Sequence, residues 1–214
     1  PPVIPDPPTV DITGKKVWVG GPEVKPTIEL QLYRNDEAVT GKLATLENGM
    51  TEHTWTNLRE YASTGTKYVY TVKEVGVPEN YTKVEDGVTV TNTYVSPKID
   101  VTVNKVWIGG PEVKPTITLE LYRDDIKVGS AAELMDGMTT YTWFDLDQTD
   151  NDGKDYVYTV KEVNMPDNYI KEEAGLTVTN TYVIPIIDIT GMKIWIGGPE
   201  VKPDIELQLY RNDE

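Results

Sequence analysis

The chain contains no cysteine, one histidine and one phenylalanine among its 214 residues. Without cysteine there can be no disulfide, no thiolate metal ligand and no thiol nucleophile. With His53 alone, neither a histidine-based triad nor a histidine metal cluster can be assembled, and His53 reads as an exposed strand residue. Positive charge is scarce as well: 20 Lys and Arg stand against 35 Asp and Glu, a formal net charge of -15. Such a surface repels phosphate backbones and anionic lipid, which argues against nucleic acid and membrane insertion. No apolar run approaches the roughly 20 residues needed to cross a bilayer. No signal peptide is recognisable, so the sequence reads as an internal piece of a longer protein. No cofactor is called for.

Strand-forming residues are plentiful: Val, Ile and Thr, with 13 Tyr and 5 Trp, favour pleated, half-buried surfaces. Self-comparison is more informative. KKVWVGGPEVKPTIELQLYRND at 15–36 returns as NKVWIGGPEVKPTITLELYRDD at 104–125 and as MKIWIGGPEVKPDIELQLYRND at 192–213. KYVYTVKEVGVPENY at 67–81 pairs with DYVYTVKEVNMPDNY at 155–169, and TVTNTY closes each unit. The period is that of a domain, longer than a solenoid repeat. The reading is a Pro-rich linker at 1–9, unit one at 10–95, a linker at 96–98, unit two at 99–183, a linker at 184–186 and an incomplete third repeat at 187–214. Proline stiffens the joins, which predicts a rod of domains. Within a unit, Ile28, Leu30 and Leu32 alternate with Glu29 and Gln31, a half-buried strand. Turn chemistry at GGPEVKP, NDEAVTG, ENGMTE and TDNDGKD separates such strands. Many short strands in under 100 residues predict an all-β, two-sheet antiparallel sandwich per unit, with helix nearly absent.

Strand parity then isolates three polar residues per unit. In GVTVTNTY, Val88, Val90, Asn92 and Tyr94 share one face and the threonines share the other; Asn180 repeats the position of Asn92. In DVTVNKVW, Lys105 lies on the face of Val101, Val103 and Trp107, and Lys16 repeats it. In YVYTVKEV, Glu162 goes with Tyr158 and Val160, and Glu74 repeats it, although both faces of this strand carry apolar residues and its inward side stays open. Two readings of a Lys, a Glu and an Asn on core-capable faces stand side by side. They can form an ion pair with a hydrogen-bonding Asn, a weak stabiliser once desolvation is counted. Or they can react. Burial lowers a Lys pKa and raises that of Glu, a neutral amine can attack the Asn carboxamide carbon and expel ammonia, and a neutral Glu can hydrogen-bond the Asn carbonyl and relay protons.

The combination of KVW near the start, YTVKE in the last third and TNTY at the end resembles the B-type repeat of the collagen adhesins of Gram-positive bacteria, the CnaB domain. The resemblance covers both complete units and the opening of the third. It implies tandem reverse immunoglobulin-like (prealbumin-like) sandwiches, each with a self-formed Lys to Asn isopeptide bond assisted by an acidic residue. Carried onto this sequence, the bonds join Lys16 to Asn92 and Lys105 to Asn180, with Glu74 and Glu162 assisting. Lys193 of the third repeat is left without a partner in this chain. The implied setting is extracellular, on a bacterial surface, with neighbouring CnaB-like domains as partners. The favoured function is a structural stalk; the alternative is an adhesin module whose loops contact a host matrix protein or glycan. Self-cross-linking is single-turnover and does not make an enzyme.

Three lesser features are read conservatively. TDNDGKD lacks the ligand spacing of a calcium loop and is an acidic turn. Trp18, Trp107 and Trp195 are expected to cap cores, with Trp55 and Trp143 recurring at matching places. GGPEVKP is a rigid turn before it is a binding surface.

Overall fold

The structure, a computed structural model, describes residues 7–212. Residues 1–6 of the opening linker and residues 213–214 of the third repeat lie outside the described residues. Unit one contains β1 (Thr9–Val19), β2 (Ile28–Arg34), β3 (Glu37–Leu46), β4 (Glu52–Arg59), β5 (Tyr70–Glu74), β6 (Tyr81–Asp86) and β7 (Thr89–Tyr94). Unit two repeats them as β8 (Lys98–Ile108), β9 (Ile117–Arg123), β10 (Ile126–Leu134), β11 (Thr140–Asp147), β12 (Tyr158–Glu162), β13 (Tyr169–Ala174) and β14 (Thr177–Tyr182). Among the described residues there is no helix.

Each unit is a sandwich of a four-stranded and a three-stranded sheet: β4-β1-β7-β6 over β3-β2-β5, and β11-β8-β14-β13 over β10-β9-β12. The alternation read from sequence decides what lies between them. Leu30, Leu32, Val72 and Val90 are sealed in unit one, and Leu119, Leu121, Val160 and Val178 in unit two. Each such side chain contributes roughly 1.5–3 kcal/mol on burial. Both cores are built from their own unit alone.

Two details differ from expectation. The NDEAVTG turn is only Asn35–Asp36, both at positive φ (48° and 67°), a two-residue hairpin whose twist suits the flanking strands. Glu37 onward is already β3, bulged near Gly41, where the Gln31 amide donates to the carbonyls of Leu32 and Val39. The second difference matters more: the first and last strands of each unit pair in parallel, β1 with β7 and β8 with β14, while all other pairs are antiparallel. A unit is therefore entered at one end of the sandwich and left at the other, which is how units can be stacked head to tail.

The third repeat forms no strand within the described residues. From Val183 to Asn212 every residue but Lys202 is exposed, including Ile205, Leu207 and Leu209. What survives is local: Lys202 closes its GGPEVKP loop on the Gly197 carbonyl at 2.7 Å, as Lys25 does on Gly20 and Lys114 on Gly109 at 2.8 Å. A six-residue loop closes on itself, whereas a strand needs a neighbour. Trp195 is exposed and caps nothing, with Lys193 over its ring at 4.5 Å.

Candidate functional site

Alternation along β5 and β12 does not distinguish their faces, and packing decides which is inward. Val72 and Glu74 point into unit one while Val69 and Val75 are exposed. Val160 and Glu162 do the same in unit two, with Val157 and Val163 exposed. Lys16 and Asn92 come from β1 and β7, adjacent strands of one sheet in which Lys16 is level with Val90 and Asn92 with Trp18. The two side chains are diagonal neighbours on the inward face. Glu74 comes across from the other sheet, level with Leu30. All three are buried, Lys16 at 3%, Glu74 at 4% and Asn92 at 0% exposure, and the unit-two trio matches at 2%, 2% and 0% for Lys105, Glu162 and Asn180.

Within the trio, Asn92 Nδ2 donates to Glu74 Oε1 at 3.0 Å and Asn180 Nδ2 to Glu162 Oε1 at 2.9 Å. Lys105 Nζ lies 3.8 Å from Glu162 Oε2. The amines also donate to strand carbonyls, Lys16 to Val17 at 3.1 Å and Lys105 to Val106 at 3.0 Å. Each ammonium nitrogen stands 3.9 Å from an indole centroid, of Trp18 or Trp107. Loss of water on burial pushes each lysine down to about 8, with the facing glutamate opposing the shift. Burial pushes each glutamate up, opposed first by the Asn hydrogen bond and then by the lysine. Both partners thus move toward their neutral forms, as a reacting pair requires and a strong ion pair does not. The sequence reading had the glutamate bonded to the Asn carbonyl; here it holds the amide nitrogen, and Asn92 Oδ1, Asn180 Oδ1, Glu74 Oε2 and Glu162 Oε2 are buried without hydrogen-bond partners. Unsatisfied polar atoms in a dry core are costly. Four of them fall at the two copies of this one site.

The sequence reading missed an outer clamp. Glu85 Oε1 accepts the backbone N–H of Glu74 at 3.0 Å, and Lys83 donates to the Glu74 carbonyl at 2.8 Å. Glu173 and Lys171 hold Glu162 in the same way, with the glutamate accepting at 2.8 Å and the lysine donating at 2.6 Å. The signal was available, since a Lys and a Glu two residues apart recur one strand before TVTNTY in both units. His53 is half-buried, edge-on to Trp55 at 4.8 Å, a correction to its exposed assignment. Trp18 and Trp107 pack edge-on against Tyr81 and Tyr169 at 5.1 Å, closing the core over the lysines.

The sequence model of the family described as "Cna protein B-type domain" matches residues 12–93 and 101–181. The chain belongs to this family. A curated relative, the collagen adhesin of Staphylococcus aureus, is 36% identical over 143 residues, covering 60% of this chain and 12% of the adhesin. The chain therefore spans a small part of that relative. Among solved structures, a single B repeat unit (B1) of the collagen-binding surface protein of Staphylococcus aureus is 28% identical and covers 83% of this chain and 100% of its own, with a TM-score of 0.37. The major pilin of Streptococcus pyogenes is 11% identical, covering 84% and 100%, with a TM-score of 0.32. In this pair of B-type domains, the two matched segments each contain one complete buried trio.

Proposed function

We propose that the chain is part of the stalk of a bacterial surface adhesin or pilus-like protein, in which each B-type sandwich locks itself with an amide bond between Lys16 and Asn92 or Lys105 and Asn180. The observation that carries this reading is the buried trio, present twice with the same geometry. In the step proposed, neutral Lys Nζ attacks Asn Cγ; the new C–N bond forms, the Cγ–Nδ2 bond breaks, and ammonia leaves. The amine gives up one proton and the departing nitrogen takes up one, and the glutamate that holds Nδ2 also faces the amine, so it can receive and deliver that proton. The residues are consumed once, on their own domain, so this is not enzymatic turnover. The product amide leaves no ionisable lysine in the core.

The topology supports a mechanical role. Tension along the chain enters a unit through β1 and leaves through β7, which lie side by side in parallel. A bond from Lys16 to Asn92 joins those strands directly, so the load bypasses the roughly 75 residues between them. Surface exposure of the parent protein follows from the kinds of protein the family populates. Intact-mass measurement tests the reading: the chain is expected to weigh less than its sequence by two ammonia molecules, with peptide maps joining the two named pairs. An unshifted mass with four free partners would overturn it.

A further inference from the structure

The contact between the two units is specific, and half of it is repeated unused at the far end of unit two. At the far end of unit one, Gly21 N–H donates to the Asn151 carbonyl at 2.7 Å, and the Tyr94 and Thr149 hydroxyls share a hydrogen bond of 2.9 Å. Ser96 of the linker accepts from the Thr149 N–H at 2.9 Å. Thr149, at 6% exposure, is buried by this contact, whereas its counterpart Tyr61 on unit one is 40% exposed. The fit is close: a Cβ on Gly20 would stand 2.5 Å from the Asn151 oxygen, and one on Gly153 would stand 2.6 Å from the Pro22 ring. TDNDGKD is thus an acidic turn with a task, the gripping of the preceding unit.

Unit two ends in the same surface. Gly109, Gly110 and Tyr182 match Gly20, Gly21 and Tyr94, but Gly109 and Gly110 are exposed, and a Cβ on Gly109 would meet only Tyr182, at 3.6 Å. We propose that this end is a docking socket for a further B-type sandwich, which would enter it with the loop corresponding to Thr149–Gly153. Two observations select that occupant. The identical surface on unit one is filled by such a loop. The spacing also repeats, since Pro185 follows Tyr182 as Pro97 follows Tyr94, and the strand-opening sequence resumes after it. Loop shape is common to both units: Gly65 N–H donates to Ala62 at 2.9 Å, as Gly153 does to Asp150 at 3.1 Å. At position 149 the hydroxyl stands on Cβ, whereas Tyr61 of unit one carries its hydroxyl at the far end of a ring, so a unit-one loop is the poorer occupant. The joint is rigid because it fixes a backbone donor, a hydroxyl and two glycines at once, and it does not depend on the cross-link.

The two sockets supply their own control, because Gly20 and Gly109 have nearly the same φ, 69° and 70°. Alanine at either carries the same backbone strain, but only Gly20→Ala meets a neighbour across the joint in this chain. Since the chain lacks cysteine, Thr45→Cys and Glu133→Cys place one spin label at matching exposed sites of each unit. In the full chain, the inter-label distance distribution is expected to be narrow, to broaden with Gly20→Ala, and to stay narrow with Gly109→Ala. In a chain with residues 96–183 repeated after Val183, which adds a sandwich that closes its own core, labels on the second and third units test the open socket. There Gly109→Ala is expected to broaden the distribution and Gly20→Ala to leave it unchanged; Tyr182→Phe serves if Gly109→Ala does not fold. A second joint as broad without these substitutions as with them would overturn the proposal.

Discussion

Units one and two hold their trios in the same way, with Asn to Glu hydrogen bonds of 3.0 and 2.9 Å, yet the cores around them are filled differently. Where unit two has Val103 on its first strand, unit one has Gly14, and the Trp55 ring moves into the vacated space: a Cβ on Gly14 would lie 2.9 Å from it. In unit two the matching Trp143 instead donates its indole N–H to the Ser130 carbonyl at 2.9 Å, beside Gly129. Packing around this tryptophan differs between the copies, while the trio, its clamp and the central leucines and valines are the same in both.

The largest effect expected in that comparison comes from removing one acid. Glu162→Ala should leave unit two unlinked and unit one linked, seen as one ammonia lost instead of two. By analogy with loop closure by a disulfide, losing a cross-link across about 75 residues should cost unit two roughly 4 kcal/mol. Retention of both bonds would move the acid's role elsewhere and break the parallel between the units.

Next comes a pH effect confined to the altered unit. Asn180→Ala keeps Lys105 as a free amine, held by burial at about 8 against an ordinary 10.5. Between those values the unfolded chain binds more protons than the folded one, so the stability of unit two should rise with pH, on the order of 3 kcal/mol across the window. Unit one should show no such rise once the proposed amide has consumed its lysine. Denaturant titrations at several pH values, read separately for each unit, check the sign. In newly folded wild-type chain the same titration predicts that bond formation accelerates as pH approaches about 8.

Exchanging the packing residues is the next smaller change. Gly14→Val drives two methyls into Trp55 and should destabilise unit one by about 1–3 kcal/mol, the usual cost of overpacking. Its cross-link should still form, and failure to form it would show that packing and chemistry are coupled. The smallest change removes an ion pair present only in unit two, between Lys98 and Asp147 at 2.7 Å. Both side chains are exposed, so Lys98→Ala should leave the melting temperature of unit two unchanged within error.

Much of this was legible in the sequence because it is written in short periods. Alternation over two residues gave the sandwich strands and placed Lys16, Asn92, Lys105 and Asn180 on inward faces, and self-comparison gave the units. For β5 and β12 alternation was silent, since apolar residues such as Val69 and Val75 occupy the outer face too. Only the four-stranded sheet, lying over one side of β5, turned Glu74 inward.

The residue types by themselves therefore determined which groups could react and that each unit carries one complete set, because side-chain chemistry and strand parity are local properties. The tertiary structure alone decided that the first and last strands run in parallel, that the glutamate accepts from the Asn amide nitrogen and leaves the carbonyl unbonded, and that an acidic turn grips the preceding unit. Those depend on which strands become neighbours across dozens of residues, and no local period records that choice. The third repeat shows the boundary: with the same opening sequence as the others it closes its GGPEVKP loop, but without a partner sheet among the described residues its strands do not form.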